Sequence, residues 1–184
     1  MKKIICLLLC FLLVLPFAAC NGGEKGPESA LVLLETVWAT YGEEEKFPAA
    51  GGDWNEENQK MDAPGKYGVE DTEALESTFA VDADNAALLS DGASLVHMMN
   101  ANTFTAGAFL LKDSGNVKTF ADALKEDLDA RQWICGTPDK YVIAKVGGYV
   151  VSAFGAADIV DNFVSKLQSS YSYTEILYNE AVAQ

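Results

Sequence analysis

Between residues 104 and 167 the apolar positions change their period repeatedly, and each change marks an element. Phe104–Leu111 is an apolar run of the length of a buried strand. Ser114–Gly115–Asn116 interrupts it, and Val117, Phe120, Ala121, Leu124 and Leu128 then fall at i, i+3, i+4, i+7 and i+11. That spacing predicts a helix from 117 to about 131, with one continuous apolar stripe. Two further apolar runs, Tyr141–Val146 and Tyr149–Phe154, are joined by Gly147–Gly148. A two-residue Gly–Gly loop predicts a tight hairpin of type I′, with both glycines at positive φ. The hairpin pairs Val146 with Tyr149, Ala144 with Val151 and Val142 with Ala153 on one face. Tyr141/Phe154, Ile143/Ser152 and Lys145/Val150 fall on the other. Val160, Phe163, Val164, Leu167 and Tyr171 restore helical spacing over 158–170.

The expected fold class is α+β: a small antiparallel sheet, with its hairpin at 141–154, packed by helices near 117–131 and 158–170. The Val142/Ala144/Val146 face is the expected floor for those helices. The second face is still half apolar, and an earlier helix carrying Leu31, Leu34, Val37 and Trp38 is available to cover it. In that helix Trp38 reads as a core anchor and Gly42 as the stop. Residues 71–79 predict a short helix capped by Asp71 or Thr72. Residues 85–100 fit either a helix or a strand turning at 100–103, and Asp91–Gly92 favours the strand. Ser172–Tyr173–Thr174–Glu175 has the form of a capping box and predicts a last helix with Ile176 and Leu177 inward. Lys118–Asp122, Lys125–Asp129 and Asp127–Arg131 are spaced as i,i+4 ion pairs.

Residues 43–69 show no period. Glu43–Glu44–Glu45, Pro48, Gly51–Gly52 and Pro64–Gly65 make this a long acidic loop, either disordered or functional. Asp53, Asn55 and Glu57 alternate as in a calcium loop. The sixth position is Asn58 where such a loop needs glycine, and no bidentate Glu stands at the twelfth, so a solvated acidic loop is the better reading.

The N-terminus changes the picture from fold to location. Met1–Lys2–Lys3 precedes Ile4–Leu15, an apolar stretch of 12 residues: too short to span a bilayer and of the right length for a secretory signal. Ala18–Ala19–Cys20 follows, small residues before a cysteine, as in the lipobox of bacterial lipoproteins. Cleavage there leaves residues 1–19 as the signal peptide, Cys20 as the lipidated N-terminus, 20–28 as a polar tether and 29–184 as a single domain. The expected location is the extracytoplasmic face of a bacterial cell membrane, held by the lipid on Cys20. Acyl chains contribute about 0.8 kcal/mol per buried methylene, so two or three hold a protein firmly.

Charge and cysteines then remove whole classes of function. The chain has 13 basic and 27 acidic residues; losing Lys2 and Lys3 leaves 11 against 27, a balance of −16. Nucleic acid is excluded as a partner. Of the four cysteines only Cys135 lies in the domain, so neither an internal disulfide nor a CxxC redox pair is expected. His97 is the single histidine and has apolar neighbours, which suits a partly buried structural role. Cys135, after Trp133–Ile134, reads as a packed thiol. No catalytic set, cofactor site or metal site is expected. The candidate binding residues are the aromatics Trp54, Tyr67 and Tyr141, as parts of a surface.

The runs MMNANTFTAGAF (98–109), DALKEDLDARQWICGTPDK (122–140) and VGGYVVSAFG (146–155), with segments at Val37–Pro48 and Gly51–Lys66, resemble a group of small lipoproteins of Gram-positive gut bacteria. Some of these carry the label "bacteriocin transport accessory protein". Proteins properly bearing that name resemble thioredoxin and have the redox cysteine pair that this chain lacks. What the resemblance implies is lipid anchorage, this architecture and an envelope or transporter protein as partner. The expected function is a lipid-anchored extracytoplasmic binding or accessory module. The alternatives are a structural envelope lipoprotein and an enzyme using Cys135 or a carboxylate pair.

Overall fold

The computed structural model describes residues 26–182. The signal segment and Cys20 lie outside the described residues. The expected α+β class holds, and the sheet extends far beyond the hairpin.

Helix α1 (Ala30–Trp38) starts at Ser29, whose hydroxyl accepts from Val32 N. Three short strands follow: β1 (Ala49–Gly51), β2 (Lys60–Met61) and β3 (Gly65–Lys66). Helix α2 (Thr72–Phe79) is capped by Asp71, and a single turn, α3 (Ala83–Ala86), by Asp82. Strands β4 (Leu89–His97) and β5 (Phe104–Leu111) form a hairpin through a 3-10 turn at Ala101–Thr103. Then come α4 (Val117–Ala130), β6 (Lys140–Val146), β7 (Tyr149–Gly155), α5 (Ala157–Ser170) and β8 (Glu175–Ala181). All strand pairs are antiparallel, in the order β2-β1-β4-β5-β7-β6-β8, with β3 also paired to β4.

The hairpin has the expected register: Val146 faces Tyr149, Ala144 faces Val151 and Val142 faces Ala153. Its turn differs in type. Gly147 has φ 62° and Gly148 does not take a positive φ, the φ pattern of a type II′ turn.

The sheet is buried on both faces. Val142, Ala144, Val146, Val151 and Ala153 pack with Phe104, Ala106 and Ala108 under α1 and α5. Tyr141, Ile143, Val150 and Phe154 pack with Phe109 under α2 and α4. The expected placement of both crossover helices on one floor, with α1 behind it, is therefore corrected. The reason is topological. The β5–α4–β6 and β7–α5–β8 connections each step over one strand in the same direction across the sheet, but β5 and β7 run in opposite senses. Crossovers of one hand then put their helices on opposite faces.

Two other expectations change. Residues 175–181 form edge strand β8 and not a helix: β6 offers an open edge, and Glu175 to Ala181 pair along it from Lys145 to Lys140, with a register shift at Ile143/Ala144. Residues 43–69 are not a structureless loop, because β1 and β3 pair with β4. Here two backbones nearly touch: a Cβ on Gly51 would meet Gly65 N at 2.1 Å, which leaves room for nothing but glycine. Ion pairs Lys118–Asp122 and Lys125–Asp129 form, at 2.7 and 2.6 Å. Asp127–Arg131 does not: Arg131 stacks 4.7 Å from the Trp133 ring and donates to Ser77 O.

Candidate functional site

The strand register sorts the ends of the sheet. At one end lie the Gly147–Gly148 turn, Leu110 and Tyr149. At the other lie Phe104, Gly155, Val96 and His97, with Ala49 and Ala50 of β1 beside them and Met61 beyond. We call these the hairpin end and the His97 end.

Beside β4, at the level of Gly92 to Ser94, stands the β1–β2 loop, which a single carboxylate holds. Asp53 Oδ1 accepts from Asn55 N at 2.8 Å and Asn58 Nδ2 at 3.0 Å; Oδ2 accepts from Gly68 N at 2.8 Å and Asn58 Nδ2 at 2.9 Å. Burial acts to raise the Asp53 carboxyl, but the bonds from Gly68, Asn55 and Asn58 outweigh it and hold the group below the ordinary carboxylate range. The side chain that suggested a cation loop is thus occupied in tying residues 53–58 to Gly68. Ser94, fully buried on β4, accepts from Gly52 N and donates to Gly52 O. Trp38 Nε1 donates to Asp62 O at 2.9 Å and pins the far side of β2.

With the backbone fixed so firmly, the Trp54 ring is left 83% exposed. It overhangs a groove of about 350 Å³ whose walls are mostly apolar: Ala50, Gly51, Met61, Tyr67, Val96 and Ala101. Gln59, Lys60 and Thr78 supply its polar groups. This is the lower end of the usual range for ligand pockets. Among the described residues six large apolar side chains are exposed: Val32, Trp54, Met61, Met98, Met99 and Ile134. Met61, Met98, Met99 and Ile134 belong to the His97 end. Met98 N bonds Pro48 O, next to β1, and Asn102 Nδ2 bonds Ile134 O and Gly136 O, each at 2.6 Å.

Of the three aromatics expected at a surface, only Trp54 is exposed. Tyr67 is buried, its hydroxyl 2.9 Å from Thr78 Oγ1 and 3.2 Å from Ala74 O, and only one side of it reaches the groove. Burial pushes that hydroxyl above the ordinary phenol range. Tyr141 is fully buried; its hydroxyl meets a polar cluster that is itself open to solvent, 2.8 Å from Asp129 and 3.2 Å from Glu180. Lys125 completes the cluster, 2.6 Å from Asp129 and 3.1 Å from Glu180.

His97 is partly buried. Its ring stacks on Phe47 at 5.7 Å, and its Nδ1 accepts from Met99 N and Asn100 N. Cys135 differs from expectation. It is exposed, with φ 66°, because the chain leaves α4 in a loop instead of continuing into the core. Among the described residues no three His, Cys, Asp or Glu side chains are gathered as a metal site would need. No helix among them is long and apolar enough to cross a membrane. In comparison with known proteins, the chain matches no family model, no curated protein and no solved structure.

Proposed function

We propose that this chain is a lipid-anchored binding module on the outer face of a bacterial cell membrane, of the kind its resemblance to small lipoproteins implies. It docks a segment of another envelope protein in the groove beneath Trp54. The observation that carries this reading is the exposed Trp54 ring over a mostly apolar groove that the exposed Met61 also lines. Exposed apolar groups so concentrated mark an interaction site. Methionines suit such a site because they repack around partners of different shape. Glu56, Glu57 and Asp62 adjoin lining residues in the chain, are exposed and outnumber the lining Lys60, so the segment that fits is apolar with basic residues.

A 12-residue peptide of alternating Leu and Lys tests the fit, with a Leu/Glu peptide as control. Calorimetry should show saturable binding of the basic peptide alone, weakened about tenfold by Trp54→Ala, or about 1.4 kcal/mol. Equal binding of both peptides, or no effect of Trp54→Ala, would discard the groove. The anchor has its own test: Cys20→Ala should move the protein out of the membrane fraction.

A further inference from the structure

The chain has three tryptophans, and Trp54 is set apart from the other two by what its ring does not touch. Trp38 packs against Tyr41 and Phe47, with ring centroids 4.8 and 5.3 Å away, and its Nε1 donates to Asp62 O. Trp133 lies 4.9 Å from Phe154 and carries the Arg131 guanidinium at 4.7 Å. Among the described residues, Trp54 has no ring partner, no cation over its face and no acceptor for its indole N–H. Beneath the ring, strand register sets the floor of the groove. Ala50 faces Met61 on one side and Val96 on the other, so the three side chains share one face of the sheet. The same row runs on to Thr105 and Phe154, both buried, and the groove is where that face is left open, with Thr78 of α2 as a wall. Around it the charge is negative. The Asp53 oxygens are taken up by the loop's own donors, while Glu56, Glu57 and Asp62 are exposed and form no ion pair among the described residues.

We infer that the basic residue of the docked segment is an arginine whose guanidinium lies on the face of Trp54, while a neighbouring apolar side chain of the segment fills the floor over Met61, Ala50 and Val96. Indole is the best of the aromatic faces for a cation. Guanidinium suits it better than ammonium because it is planar and more weakly hydrated. Stacked flat, it keeps its in-plane donors for the exposed carboxylates of the loop. The chain already makes this pair once, between Arg131 and Trp133. The inference rests on the proposed function and deepens it by naming the side chain that the groove selects.

The test is calorimetry of the full-length chain with three 12-residue peptides, in which Leu alternates with Arg, with Lys or with citrulline, the uncharged counterpart of Arg. The Arg peptide should bind about twofold to fivefold more tightly than the Lys peptide, and about tenfold more tightly than the citrulline peptide. Trp54→Leu keeps an apolar side chain at an exposed position and removes the aromatic face. It should leave melting unchanged and bring the Arg and Lys peptides to equal affinity. Met61→Ala should weaken all three peptides alike and preserve the preference. Equal binding of Arg and Lys peptides by the unaltered chain, or a preference that survives Trp54→Leu, overturns the stacking and leaves the groove in place. If no peptide binds, the proposed function fails and the stacking falls with it.

Discussion

Gly147 and Gly148 carry unequal demands within one turn. At Gly147 the positive φ strains any β-branched side chain, so Gly147→Val is expected to cost about 1 kcal/mol or more. Gly148 has no such φ, and Gly148→Val should cost less than half as much; melting both variants checks the difference. The pair Gly–Gly made the position and register of the turn legible. It did not reveal the type, because two glycines satisfy I′ and II′ alike. Asp53 illustrates a second limit. Its spacing suggested a cation ligand, whereas its oxygens accept from the loop's own N–H groups, which no spacing rule distinguishes. Since its folded pKa lies below the unfolded value, its contribution is present above about pH 4 and is lost as pH falls through the folded pKa. Trp54 emission should follow that loss on acidification, and Asp53→Ala should remove the transition.

Among the elements, those with a full stripe of their own were readable: α1, α4 and α5 fall where periodicity puts them. Their distribution over two faces was not, because it depends on strand direction and not on the helices. Phe120 of α4 packs near Phe109, and Phe163 of α5 near Phe104, on opposite sides of the sheet. Phe120→Leu and Phe163→Leu should each cost about 1–2 kcal/mol, and the double variant should equal their sum within about 0.5 kcal/mol. Coupling beyond that, in denaturant titrations, would contradict the two-face arrangement. Elements that exist only by virtue of a neighbour were invisible: β1 and β3 form because β4 presents them an edge, and β8 because β6 does. Between α2 and α4, Asp127 Oδ2 is buried without a hydrogen-bond partner among the described residues. Burial, then Asp82, Glu126 and Glu76, raise its carboxyl above the ordinary range, while Arg131 nearby turns away to Ser77. A raised folded pKa means the charge opposes folding, so stability should rise as pH falls toward it. Asp127→Asn should raise Tm at pH 7 and flatten that dependence.

At the scale of the molecule, the surface position of Trp54 was legible in the sequence, and the exposed apolar groups of the His97 end were not. Met61, Met98, Met99 and Ile134 come from three segments that only strand register and the Asn102 bonds bring to one end. Tyr67 and Tyr141 were indistinguishable from Trp54 in composition and turned out buried, since aromatics serve cores more often than surfaces. The expected outcome for Met61→Ala is unchanged melting with weaker peptide binding, because this exposed side chain lines the groove and contributes little to the core.

The strand β8 also bears on when this protein can exist as a folded object. It follows every other described element in the chain, yet it seals the apolar edge of β6, while α1, the first element, packs against α5, almost the last. A partly emerged chain therefore lacks two of its late contacts: its earliest helix waits for its latest, and β6 stays open to any passing strand. If the chain is exported to the outer face, as proposed above, that delay is an advantage. The chain stays threadable until its tail is through, then closes in one cooperative step on the far side. Removal of residues 175–184 should leave a protein that crosses the membrane normally and aggregates on arrival, with solubility of the exported fraction as the measurement.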